Sequence, residues 1–357
     1  MLEKGNYYNA VMKSVDRLRS SPNNKNAKET LVNAYPFAVN SLLDKLENNK
    51  ASNYKFVHTE AVYTYQDLNR MYESIQRSPG AMAVINNPKK YYNQLNEEKP
   101  KAAEEQYSSG MEQLSMNTRE NAKQAYFYFQ KADNFVNNYK DVLSKIDESY
   151  NLSILNVITI LKPVQSRYYD LSADVFYTEV NKIFRQIEQK EFVRFFSPEE
   201  AKLTNMNKPD QLLSINFEDF VVGETHIKER IEKMVSDTIK IGEVTLSNRT
   251  KQDVYGTVKA TVSINRMEVI SKGIIKLSLT QTDVNRIVID QDFAGNYVWY
   301  NEWGNFNGDE RALTDAQYKI CKKRKINPIP PQQMFVEFTK PIHAQLRTRL
   351  VNFYKGY

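Results

Sequence analysis

The sequence predicts an α+β protein: an array of helical hairpins, then a mixed and largely antiparallel sheet domain ending in a C-terminal helix. Two observations carry this. Apolar residues recur at helical spacing through the first part of the chain, as in Val62, Tyr65, Leu68, Met71, Tyr72 and Ile75. After Ser153 the pattern turns to β-branched runs and strict alternation, clearest from Val254 to Asn265. The 357 residues exceed one comfortable core, so two domains are expected, at 1–148 and 149–357.

The helical part opens with Gly5 to Asn24. Gly5 permits a tight turn, Ala10 lets paired helices approach closely, and Pro22 stops the helix. Ala27, Leu31 and Tyr35 then continue at helical spacing. Phe56 to Gln76 reads as a long amphipathic helix, broken by Ser78-Pro79-Gly80. A second hairpin runs from Lys101 to Tyr139. Tyr107, Gly110 and Leu114 lie on its first helix, and Ala125, Phe129 and Ala132 share one face of its second. Gly5, Tyr7, Ala10 and Pro22, with the later Ala125, Phe129 and Ala132, resemble a divergent tetratricopeptide repeat, whose hairpins bury their apolar faces by stacking. Arg17 departs from it, standing where the motif prefers a small residue. A generic helical bundle is the alternative. The resemblance implies a protein-binding platform. It does not extend to the subtype that clamps chaperone tails, because Tyr107 and Met111 stand where that subtype needs Lys and Asn. An apolar groove lined by Tyr107, Met111 and Leu114 is expected, with simple core packing of these three as the competing reading.

In the second part, Ile154 to Leu161 is an apolar run ended by Lys162-Pro163, as a buried central strand would be. Leu171 to Gln189 is amphipathic, with Val175, Phe176, Val180, Ile183, Phe184 and Ile187 on one side. Phe192 to Phe196 is a further strand, which makes a βαβ layer. Val254, Gly256, Val258, Ala260, Val262 and Ile264 alternate with polar residues. Ile275, Leu277 and Leu279 are expected on a second strand, and Ile287 and Ile289 on a third after a turn at Thr282 to Asn285. The last helix, about Pro331 to Phe353, should kink or split at Pro341. This order of elements resembles the periplasmic domain of curli-channel-type outer-membrane lipoproteins. The whole layout resembles repeat-bearing envelope lipoproteins of Gram-negative bacteria, which implies a periplasmic or outer-membrane-associated place; the cytoplasm is the alternative.

A net charge of +6, from 49 basic and 43 acidic residues, is too dispersed for nucleic-acid binding. No apolar run approaches the roughly 20 residues that span a bilayer. A lipid anchor upstream of Met1 is the hypothesis that would fix the compartment. Cys321 is the only cysteine, so neither an intrachain disulfide nor a multi-cysteine zinc site can form. His58, His226 and His343 lack metal-ligand spacing, and His58 is expected at the surface. No cofactor is expected, since no phosphate-binding glycine loop and no GxSxG elbow occurs.

The densest aromatic and polar stretch, Gly295 to Leu313, holds Trp299, Trp303, Glu302, Asp309 and Arg311. It suits a protein hot spot or a sugar platform, or else a structural loop in which Arg311 pairs with a nearby acid. Lys322 to Lys325 reads as a solvated helix end. These features predict a non-enzymatic scaffold or assembly factor that binds another protein through Tyr107, Met111 and Leu114, through Trp299, Trp303 and Arg311, or both. A glycan-binding or glycan-processing protein using the tryptophan stretch is the alternative.

Overall fold

The computed structural model describes residues 6–164, 171–206 and 208–357. Two compact units divide at Ile154/Leu155, and the chain is α+β. Gly5, expected in the first turn, lies outside the described residues.

The first unit is helical: α1 (Tyr7–Ser20), α2 (Lys25–Ala51), α3 (Val57–Gln76), α4 (Pro79–Met82), α5 (Tyr92–Ser115), α6 (Arg119–Phe135) and α7 (Val142–Ser153). Side-chain oxygens of Asn6, Asn24 and Thr118 accept backbone N–H groups at the starts of α1, α2 and α6, satisfying donors that have no partner within the helix. Val11, Val15 and Leu18 pack with Leu31, Leu68, Met71 and Ile75 in one core. Phe129, Ala125, Ala132 and Val142 form another. Two glycines set the helix spacing. A Cβ on Gly80 would lie 2.8 Å from Pro22 Cα, and one on Gly110 would lie 2.6 Å from the Phe129 ring.

The second unit contains β1 (Leu155–Leu161), α8 (Asp174–Glu188), β2 (Val193–Phe196), α9 (Pro198–Leu203), β3 (Gln211–Thr245), β4 (Lys251–Gln281), β5 (Arg286–Gly308), α10 (Asp315–Cys321) and α11 (Pro331–Tyr354). The strand order is β2-β1-β3-β4-β5. β1 runs parallel to both neighbours, while β3, β4 and β5 form an antiparallel meander. The buried faces of α8 and α11 share one core with Leu155, Val157, Leu213, Ile215, Ile275, Leu277 and Leu279.

Several expectations need correction. The strand carrying Ile275 to Leu279 is not separate, because β4 runs unbroken for 31 residues. Its buried face changes along its length: Val258, Ala260, Val262 and Ile264 are buried at one end, and Met267, Val269, Ile275, Leu277 and Leu279 at the other. These sets have opposite parity, so they lie on opposite faces of the sheet. Ile287 is 60% exposed because a register shift between Leu279 and Thr280 turns it away from Ile289. Val175 lies off the apolar face of α8 and is exposed. Of the kink or split expected at Pro341, the split does not occur, since α11 runs through it.

The register places Gly273 of β4 opposite Gly295 of β5. A Cβ on Gly273 would lie 2.8 Å from the Phe338 ring, and one on Gly295 would lie 2.7 Å from Ile342 Cγ1. Together they leave a shallow trough in which α11 sits against the sheet. Gly295→Ala should therefore lower the stability of this unit by about 1–3 kcal/mol, read as a lower urea midpoint. Gly242→Ala, where a Cβ meets nothing within 4 Å, should leave the midpoint nearly unchanged.

Candidate functional site

The residues expected to line a helical groove are mostly held within the helix packing. Tyr107 sits edge-on to Phe129 at 5.6 Å, and its hydroxyl donates to Asp141 at 2.5 Å. That hydrogen bond, with some burial, pushes the Tyr107 pKa up to about 12. Leu114 packs on the same cluster. Met111 alone of the three is exposed, at 37%.

His58 is not a surface bystander. Its Nδ1 lies 2.5 Å from the carboxylate of Glu98, which is buried and also takes Lys101 at 3.0 Å. Next to it, the Glu105 carboxylate accepts the backbone N–H groups of His58 and Thr59, both at 2.8 Å, and so caps α3 from α5.

Trp299 and Trp303 belong to strand β5 and not to a loop. Two and six residues from Tyr297, they share its face, and all three pack half-buried against the α8/α11 core. Lys325 lies 5.7 Å from the Trp303 ring, and Asn301 between the tryptophans accepts the Ile326 N–H at 3.1 Å. The nearby carboxylates are engaged: Glu302 pairs with Arg266 at 3.1 Å and Asp309 with Arg311 at 2.5 Å. Hydrogen bonds from Arg311 hold the Asp309 pKa down to about 2. The Arg311 guanidinium also donates to the Lys240 carbonyl at 2.6 Å. Arg311 thus ties the segment after β5 to the distal part of β3, which lies beyond the reach of β1.

A cleft of about 570 Å³ opens beyond the carboxyl ends of β1 and β2, lined by Asn181, Arg185, Glu188, Glu199 and Glu200. Two of its carboxylates serve the backbone, Glu188 accepting Phe195 N–H and Glu200 accepting Ser197 N–H. Among the described residues no group of His, Cys, Asp and Glu could hold a metal ion, and no helix is long and apolar enough to cross a membrane.

The feature that sequence reasoning missed is β3. Pairing with β1 ends at Ile215, so among the described residues the outer edge of β3 has no strand partner from Asn216 onward. Register shifts fall between Val221 and Glu224 and between Ser236 and Ile239, and pairing with β4 is regular between them. Within that segment Ile227, Ile231 and Val235 are 56%, 65% and 57% exposed. They lie on the tryptophan-bearing face, since Glu229, between Ile227 and Ile231, pairs with Asn265, which pairs with Trp303. On the opposite face α10 covers the ribbon: Gln317 donates to Glu232 at 2.7 Å, and Met234 and Ile239 pack near Val258 and Ala312. The exposed stripe is therefore one-sided, along an edge whose backbone groups are available for pairing.

No protein-family model matches the chain, and no curated protein matches it.

Two expected outcomes follow from these contacts. Burial pushes the Glu98 pKa up, but hydrogen bonds from His58 and Lys101 outweigh it and leave the carboxyl below its ordinary range. A carboxyl depressed on folding adds stability above its unfolded pKa and loses that contribution as pH falls through the folded value. Glu98→Gln should therefore cost about 1–3 kcal/mol at pH 7, and the gap to wild type in denaturant titrations should shrink below about pH 4. Arg311→Ala should release the distal end of β3, seen as faster amide hydrogen exchange from Lys240 to Thr245 with the α8/α11 core unchanged.

Proposed function

We propose that this protein is a non-enzymatic scaffold or assembly factor, in which a divergent tetratricopeptide-like platform accompanies a sheet unit that docks a protein partner along β3. The observation that carries this is the stripe of Ile227, Ile231 and Val235, each more than half exposed on a strand edge with regular geometry. Exposed apolar side chains on an unpaired edge are what strand addition uses. Backbone hydrogen bonds supply affinity, and alternate side chains supply selectivity. The engagement of Glu302 and Asp309 by arginines and the half-burial of both tryptophans favour docking over glycan chemistry. A place in the bacterial envelope, which the resemblance implies, belongs to the same proposal.

The test is a photo-crosslinking amino acid at position 231 of the full chain in its native cells, with Gly242 as the control position. Crosslinks to protein at 231 and not at 242 are expected. Adding Ile227→Glu and Val235→Glu should abolish them while the circular dichroism spectrum is retained. Equal crosslinking at both positions, or none at 231, would overturn the proposal.

A further inference from the structure

The residues on the β3 edge are arranged symmetrically about Ile231. Counting outward, Arg230 is matched by Glu232, Glu229 by Lys233, and Ile227 by Val235, while Lys228 and Met234 are the one unlike pair between them. Two strands related by a two-fold axis pair antiparallel, and each residue then faces the one equally far from the axis on the other copy. Outward-pointing N–H and C=O groups recur at every second residue, so the axis must pass through a residue. With the axis at Ile231, Glu229 faces Lys233 and Arg230 faces Glu232, each twice by symmetry. Ile227 faces Val235, and the two Ile231 side chains meet. Moving the axis to Arg230 or Glu232 places like charges on it. Moving it to Glu229 also sets Lys228 against Arg230.

We propose that a second copy of this chain occupies this edge, forming an isologous antiparallel β3–β3 pair centred on Ile231. Resting on the reading of the edge as a protein-docking surface, it names the partner and the register. The length of regular strand supports it. Glu224 to Ser236 is bracketed by register shifts, and Ile231 lies one residue from its midpoint. The shifts limit pairing to this stretch, where both copies are straight enough to exchange backbone hydrogen bonds. The charges on it are already oriented. Ser263 Oγ donates to Glu229 at 2.6 Å, and Arg230 lies 2.9 Å from Glu232 in the same copy, so a second copy extends a row of alternating sign. Pairing would cover Ile227, Ile231 and Val235 on the face that α10 does not reach.

Light scattering coupled to size exclusion should give a dimer for the full chain. Glu229→Lys alone sets Lys against Lys in both symmetric contacts and should weaken dimerisation roughly tenfold or more. Lys233→Glu should do the same. The two single variants mixed in equal amounts should form a dimer again, because each then faces its complement, and the double variant E229K/K233E should recover the wild-type mass. In a Cys321→Ser background, Ile231→Cys should form an intermolecular disulfide, since facing residues lie about 4.5–5.5 Å apart between Cα atoms. Val235→Cys alone should not, and it should crosslink when mixed with Ile227→Cys. A monomer at every concentration, a species larger than a dimer, or single charge variants that pair as well as wild type would each overturn this inference. A monomeric wild type that still gives the position-231 crosslinks to another protein would leave the docking edge standing and remove only self-pairing.

Discussion

The seating of α11 on the facing glycines Gly273 and Gly295 is the constraint from which the rest of the sheet unit follows. A helix can lie so close to a sheet only where side chains are missing beneath it, and here the register brings both gaps together. Phe338 and Ile342 enter the trough, and Phe335 reaches Phe217 and Phe220 at ring separations of 5.2 and 5.8 Å. At its far end α11 is anchored by Tyr354, whose buried hydroxyl donates to Gln211 at 3.1 Å. Burial drives that phenol's pKa upward. Pinned at both points, α11 covers the base of the meander and cannot extend along the long strands.

What lies beyond α11 is built differently. The segment before it continues the cover only as far as Asn301, through Ile326, and Trp303 closes that end of the core. Past Met267 the cover changes sides. The turn at Ala312 packs on Val258, Ala260 and the partly buried Met234 from the opposite face, α10 adds Gln317 against Glu232 and Met234, and Arg311 fixes the arrangement by joining Asp309 to the Lys240 carbonyl. β4 therefore serves two cores in succession, one on each face. The face left bare at the distal end is the one that carries Ile227, Ile231 and Val235.

The helices and the βαβ layer were legible because their signals are local. Val62, Leu68, Met71 and Ile75 mark α3, Pro22 and Ser78-Pro79 punctuate the chain, and the run from Leu155 to Leu161 has no helical reading that fits its length. The meander was half legible. Alternation identified β4 but concealed its length, because exchanging the buried face at Asn265 and Arg266 looks like a strand ending. The tryptophan stretch looked like a loop because Asn and Gly are abundant in it. Pairing with β4 overrides that composition, a tertiary effect that no local window contains. β3 was not legible as a strand. Ile227, Ile231 and Val235 are spaced by four, which keeps residues on one face of a helix and also on one face of a strand, and the charges between them suit either. The residues that matter at the edge therefore carried no distinguishing period, and only their symmetry about Ile231 sets them apart.

That symmetry bears on how an exposed strand of this length is tolerated. A flat apolar edge recruits any strand, and natural sheets blunt such edges with charge and with bulges. β3 has both devices: four register shifts along its length, and Lys228, Glu229, Arg230, Glu232 and Lys233 among its apolar residues. The shifts shorten the usable edge, and the charges penalise pairings that set like against like. A strand of one net sign would repel its own copy, and an uncharged one would accept pairing in several registers. Opposite charges placed equally about an apolar centre do neither. They discourage indiscriminate addition while leaving a register in which the four charges nearest the axis each meet the opposite sign, so protection of the edge and selection of its partner reside in the same residues.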